Sequence, residues 1–189
     1  MALIEAISTL RVNNPAAGGV TNLEFTSIPA TYNHLQLACN MKGYDSADAL
    51  SVGIQIGNGS VDTGSNYSVG YMSGQSATSE ISGSLVSQVS HRMYDMMFGL
   101  NTILYEFFGY MTVLIADYAN TNKNTSMQLI GGGLGRNDSK IAIQNNTWDS
   151  TVAVTNIKVY PFSDNFAFCK IFLTFPIYRI TILSGMYCN

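Results

Sequence analysis

Asp117-Tyr118-Ala119-Asn120-Thr121-Asn122-Lys123-Asn124-Thr125 separates an apolar run, Phe107 to Ala116, from a second one, Met127-Gln128-Leu129-Ile130. Asn and Asp turn their side-chain oxygens onto nearby backbone NH groups and tolerate positive φ, so a cluster of them between two β-prone runs predicts a chain reversal. The stretch reads as a tight link between two strands. Nearly every residue from Tyr105 to Ala116 is apolar, as in a strand covered on both faces, which places it centrally in its sheet or in an oligomer contact.

Upstream, Phe25-Thr26-Ser27-Ile28-Pro29-Ala30-Thr31-Tyr32-Asn33 reads as a corner, because proline lacks an NH and biases Ile28 towards an extended conformation. Leu35, Leu37 and Cys39 then alternate with Gln36, Ala38 and Asn40 at the period of a half-buried strand. Leu50, Val52, Ile54 and Ile56 alternate with Ser51, Gly53 and Gln55, again giving one inward and one outward face. Asn58 to Asn66 is a string of turn formers and reads as a surface loop. Tyr67 to Met72 and Leu85 to Val89 read as short strands. Ser73 to Ser84 is too rich in Ser, Gly and Thr to suggest regular structure. Met93 to Leu100 reads as a short helix or a distorted strand. Downstream, Gly131-Gly132-Gly133-Leu134-Gly135 reads as a breaker, with strands at Lys140 to Gln144, Val152 to Tyr160 and a buried last strand from Phe172 to Leu183. Residues 1–22, broken at Asn13-Asn14-Pro15 and Gly18-Gly19, read as an N-terminal arm or edge strand and a link. Residues 23–189 then form a single domain. The expected fold is all-β: an antiparallel, jelly-roll-like β-sandwich of about nine or ten strands.

Composition bounds the function. Charged residues make up 11% of the chain and hydrophobic ones 47%, against a usual charged share of about 25%. So little surface charge implies a face hidden against copies of the chain or another protein. A net charge of −3 without a Lys/Arg run in the sequence argues against nucleic acid as a partner. The N-terminus carries no recognisable secretory signal, and neither Phe107 to Ala116 nor the interrupted run Ile171 to Tyr187 suits a helical membrane span, which needs about 20 apolar residues.

Chemistry-bearing motifs are weak. His34 and His91 have nothing in sequence to bring them to each other or to Cys39, and each reads as structural or superficial. Cys39, Cys169 and Cys188 lack CxxC spacing and read as buried or incidental thiols. The glycines at 131–135 open no helix, so they read as a loop or bulge in place of a phosphate cradle. Asn58 to Asn66 and Asp117 to Asn124 offer oxygen ligands, but each holds one carboxylate at a spacing that matches no calcium loop, and both read as self-satisfied turns. Five Asn-x-Ser/Thr sequences, starting at Asn58, Asn66, Asn124, Asn137 and Asn145, mark polar turns. The eleven tyrosines and Trp148 suit core and subunit contacts, with a sugar- or receptor-binding surface as the alternative. No catalytic, cofactor-binding or metal-binding residue is assigned, and no cofactor is implied.

Three stretches together resemble a family of small virion structural proteins of tailed bacteriophages, especially marine and cyanobacterial ones. They are Phe25 to Leu35 (the Ile28-Pro29-Ala30-Thr31-Tyr32 corner), Asp62-Thr63-Gly64-Ser65-Asn66-Tyr67-Ser68, and Asp117 to Thr125. They follow the family's order and span roughly residues 25 to 160. Two departures stand out. Ser60-Val61 separates Asn58-Gly59 from Asp62 where the family has Asn-Gly-Asp, and Ile177-Tyr178-Arg179-Ile180 replaces the family's terminal Leu-Tyr-Gly-Ile. The resemblance implies a non-enzymatic virion component, assembled in the host cytoplasm. The expected form is a capsid decoration or cement protein that oligomerises, for example as a trimer, against the major capsid protein or other virion proteins. The alternative is a tail-fibre or receptor-binding module that reads a host glycan or protein.

Overall fold

The computed structural model describes residues 4–13, 19–43, 51–75, 78–93, 108–134, 139–162 and 165–176. Thirteen strands follow one another among them: β1 (Ile4–Asn13), β2 (Leu23–Phe25), β3 (His34–Gly43), β4 (Val52–Asn58), β5 (Ser60–Val61), β6 (Tyr67–Gln75), β7 (Thr78–Gln88), β8 (His91–Met93), β9 (Gly109–Ala116), β10 (Thr125–Leu134), β11 (Ser139–Trp148), β12 (Asn156–Pro161) and β13 (Phe166–Pro176). They form two antiparallel sheets. The larger has the order β1-β13-β3-β9-β10-β11-β6-β7, and the smaller runs β2-β12-β4-β5 with β8 also paired to β4. The chain crosses between sheets repeatedly, and one hydrophobic cluster draws on both. The fold is therefore the expected all-β sandwich.

Alternation explains the strands that the sequence made plain. Leu35, Leu37, Cys39 and Met41 of β3 are buried while the residues between them are less so. Met111, Val113 and Ile115 of β9 line the same core, and β9 lies fourth of eight strands, the expected central place, but it is not covered on both faces: its residues alternate, and Tyr110 on the outer face is 53% exposed. The reversal after it turns at Asp117, whose φ of 48° is the left-handed conformation that Asp tolerates. β13 is flanked by β1 and β3, with Cys169, Ile171 and Leu173 buried. Residues 177–189, which include the expected end of that strand and Cys188, lie outside the described residues, as does 94–100. Ile4–Asn13 is an edge strand of the large sheet.

Several expectations need correction. The described part of Ser73 to Ser84 is not irregular: residues 73–75 end β6 and residues 78–84 belong to β7, paired antiparallel. β7 is an edge strand with Ser82 to Ser84 exposed, so backbone pairing forms it without apolar alternation. Gly131 to Leu134 continues β10 and does not break it. A Cβ on Gly132 would lie 2.5 Å from the Lys140 carbonyl oxygen, so the glycine permits a close approach of β11. Val152 to Ala153 precedes the strand, which starts at Asn156. Asn145-Asn146-Thr147 lies inside β11 and is no turn.

β4 is buried on both faces from Val52 to Gly57, contrary to the expected outward face. The Tyr160 and Phe162 rings cover Gly53, Gln55 donates to the Val89 carbonyl at 2.9 Å, and the Ser60 to Asp62 backbone closes over Gly57.

β11 sets its polar and apolar residues the other way round from a usual core strand. Ala142, Gln144, Asn146 and Trp148 are buried, while Ile141 and Ile143 are 61% and 46% exposed. Asn146 donates to Gln144 Oε1 at 3.4 Å, and Gln144 Nε2 and Asn146 Oδ1 are buried without a partner among the described residues. Replacing one of these amides strands the other, whereas replacing both removes two unmet groups. The double variant Gln144→Met/Asn146→Leu should therefore be more stable than Gln144→Met alone by about 1–3 kcal/mol. Denaturant unfolding would check this, and equal stabilities would mean that the two amides are satisfied elsewhere.

Candidate functional site

The three quoted stretches meet at one end of the large sheet. His34 opens β3, Ala116 closes β9, Trp148 closes β11 and Tyr67 opens β6, and the register pairs His34 with Ala116 and Trp148 with Tyr67. Antiparallel pairing thus brings residues distant in sequence side by side.

Side chains then tie the loops together. Tyr118 is fully buried; its hydroxyl donates to the Pro29 carbonyl and accepts from the Tyr32 backbone NH at 3.4 Å. Burial raises its pKa, against the lowering effect of the bond from Tyr32, so it stays a donor. His34 Nδ1 accepts the Asp117 NH at 3.1 Å, which puts the neutral ring's proton on Nε2. Lys123 donates to Asp117; that bond, with the charge of Lys123, outweighs the opposing effect of burial and lowers the Asp117 pKa.

The second loop is gathered on Asp62. Its carboxylate accepts from the Gly64 NH at 2.8 Å, Asn66 Nδ2 at 2.9 Å and Trp148 Nε1 at 2.8 Å. Burial opposes ionisation, but the bonds from Asn66, Trp148 and Gly64 outweigh it and lower the pKa. Tyr67 donates to the Asp62 carbonyl at 2.7 Å. A strap over residues 149–155 joins the loops: Asn124 donates to Asp149, Asp149 NH to Asn66, Val154 NH to Tyr118 and Thr155 NH to Gly57. The oxygens read from sequence as a calcium possibility thus serve as internal bonds at Asp62 and at Asn120, whose Oδ1 accepts the Asn122 NH at 2.9 Å. Among the described residues no group of three or more His, Cys, Asp or Glu converges in a metal-binding arrangement.

Between the corner and the reversal lies an open cleft of about 480 Å³, lined by Ala30 to Asn33, Asp117 and Ala119 to Asn122. The sequence contained every lining residue but gave no sign that the two loops face each other.

Of the remaining candidates, Cys39 and Cys169 sit at diagonal positions on the paired strands β3 and β13. Cys39 and Cys169 are buried and free, with burial pushing Cys169 up to about 12 and Cys39 well above its usual value. His91 is fully buried on β8, with its ring edge-on to Tyr67 at 4.7 Å between centroids.

A second surface emerges on the outer face of the large sheet. Ile130 of β10, Ile143 of β11 and Met72 of β6 are register partners across three strands, 45%, 46% and 56% exposed. Tyr110 and Ile141, 53% and 61% exposed, flank Gly132 in the adjoining row. Arg11, Lys42 and Lys170 come together towards the β1 side, where Arg11 pairs with Lys170.

No family model and no curated protein matches the sequence. A solved structure that matches is the "Binding domain of Botulinum Neurotoxin DC in complex with SialylT", at 10% identity and a TM-score of 0.25, over 92% of this chain and 43% of that one. The chain spans less than half the length of that structure, and so distant a likeness carries no argument. Among the described residues no helix is long and apolar enough to cross a membrane.

Burial lowers the His91 pKa from 6.5 to about 3. The unfolded chain therefore takes up this proton at a higher pH than the folded one. The stability is full above about pH 6.5 and falls as pH drops towards about 3, by about 1.4 kcal/mol per pH unit. Between pH 6.5 and 4.5 the wild type should lose stability more steeply than His91→Phe. Parallel thermal-unfolding profiles for the two proteins would contradict this account.

Proposed function

We propose that this chain is a non-enzymatic assembly protein that oligomerises with copies of itself through the outer face of the eight-stranded sheet. Its place is the virion of a tailed bacteriophage, as a decoration or cement protein on the shell. The observation that carries the reading is the in-register row Ile130-Ile143-Met72, an apolar stripe on a face that β11 turns outward. Large apolar side chains gathered on one face favour burial against a partner. A charge-free centre flanked by Arg11, Lys42 and Lys170 has the apolar-core, polar-rim arrangement of protein interfaces. The charged share of 11% fits the same use. The virion assignment rests on the resemblance of the three quoted stretches, which lie together at one end of the sandwich. The second reading, a tail-fibre or receptor-binding module, draws on the open polar cleft.

The assembly reading predicts an oligomer for the purified chain at micromolar concentration. Ile130→Thr/Ile143→Thr keeps β propensity but removes apolar surface, so it should yield a folded monomer by light scattering. A monomeric wild type, or an oligomer unchanged by the double variant, would contradict the interface. Labelled protein imaged in purified virions should decorate the shell, and signal on the tail alone would favour the second reading.

A further inference from the structure

The cleft between residues 30–33 and 117–122 has walls that cannot easily collapse. Tyr118 bonds both ends of the Pro29 to Tyr32 corner, His34 holds Asp117, and Asn120 caps its own turn. Against this fixed frame, the side chains of Thr31, Asn33, Thr121 and Asn122 make no hydrogen bond with the described residues. Asn and Asp in turns commonly close onto nearby backbone, as Asn120 does here. Asn33 and Asn122 leave their amides open to the cleft.

The lining selects the ligand chemistry. No Lys or Arg lines the cleft, so an anion finds no countercharge there. Asp117 is its one lining carboxylate and is engaged by Lys123, which leaves a poor cage for a cation. Ala30 and Ala119 supply little apolar surface, which disfavours a greasy ligand. No strand edge borders it either, since β3 and β9 are each paired on both sides, so an extended peptide has no backbone ladder to join. Amides and hydroxyls that both donate and accept match a neutral ligand bearing many hydroxyl groups. The volume of about 480 Å³ is in the range of small-ligand sites.

The geometry points to a binding site for a neutral saccharide in this cleft, with Asn33 and Asn122 as its main hydrogen-bonding side chains. The site goes beyond the assembly reading and shares no residue with the outer sheet face, so either stands without the other. It gives the receptor-binding reading a ligand class.

The test is titration of the isotope-labelled full chain with methyl glycosides of glucose, galactose, mannose and N-acetylglucosamine, followed by NMR. At least one glycoside should shift the side-chain amides of Asn33 and Asn122. Asn33→Ala and Asn122→Ala should each weaken that binding about tenfold, the loss expected for one hydrogen bond, with thermal unfolding unchanged. Calcium chloride and a capped tetraglycine peptide serve as competing probes. The site is overturned if no glycoside shifts these resonances, if both alanine variants bind as the wild type does, or if calcium or the peptide alone moves them. Oligomeric state, read by light scattering on the same samples, reports on the assembly face separately.

Discussion

The hydroxyl of Tyr118 is the point on which one end of the sandwich depends. It bonds residues 86 and 89 positions away, while the carbonyl of the same residue accepts from Val154 in the strap. Each of these groups sits in irregular chain, where no ladder supplies a partner. An unmet buried group costs about 1–3 kcal/mol, so the corner, the reversal and the strap are each stable only in the presence of the others. Asp62 plays the matching part for the second loop, where Trp148 closes the set by donating to it. The cleft is a consequence: two loops pinned at their bases leave a gap between their tips.

Local pattern made some of this legible. The alternation in β3 and the Asp117 reversal each express a preference of neighbouring residues, and the structure follows them; the apolar run of β9 marks a central strand, but one covered on a single face. What sequence left unread depends on partners far along the chain. Gly53 is buried by Tyr160 and Phe162, and Gln55 by Val89, so β4 has no free face despite its alternating sequence. β7 carries little apolar signal because an exposed edge needs only backbone pairing to β6. Gly132 looked like a breaker because its reason for being glycine is the approach of Lys140 on the next strand. The residues of the cleft stand in two polar stretches that are plain in the sequence, yet their convergence follows from strand order, which local pattern does not carry.

β11 links the proposed assembly face to the fold. Trp148 must point inward to reach Asp62, and period-two alternation then commits Asn146, Gln144 and Ala142 to the core and Ile143 and Ile141 to the outside. The inward amides are poorly met and the outward isoleucines are bare, two costs with one origin. Burial of the outer face against another copy, as proposed, would recover the second of them. The same constraint that fixes the loop end therefore accounts for the surface on which the assembly proposal stands.

Native-state hydrogen exchange tests the interdependence of the loops most directly. The amides of Tyr32, Asp117, Asp149 and Val154 all donate within the tied end. They should exchange only through global unfolding, with the same denaturant dependence as Leu37 in the centre of β3. Fast exchange of these four amides, insensitive to denaturant while Leu37 stays protected, would mean that the loops open independently and would contradict the account.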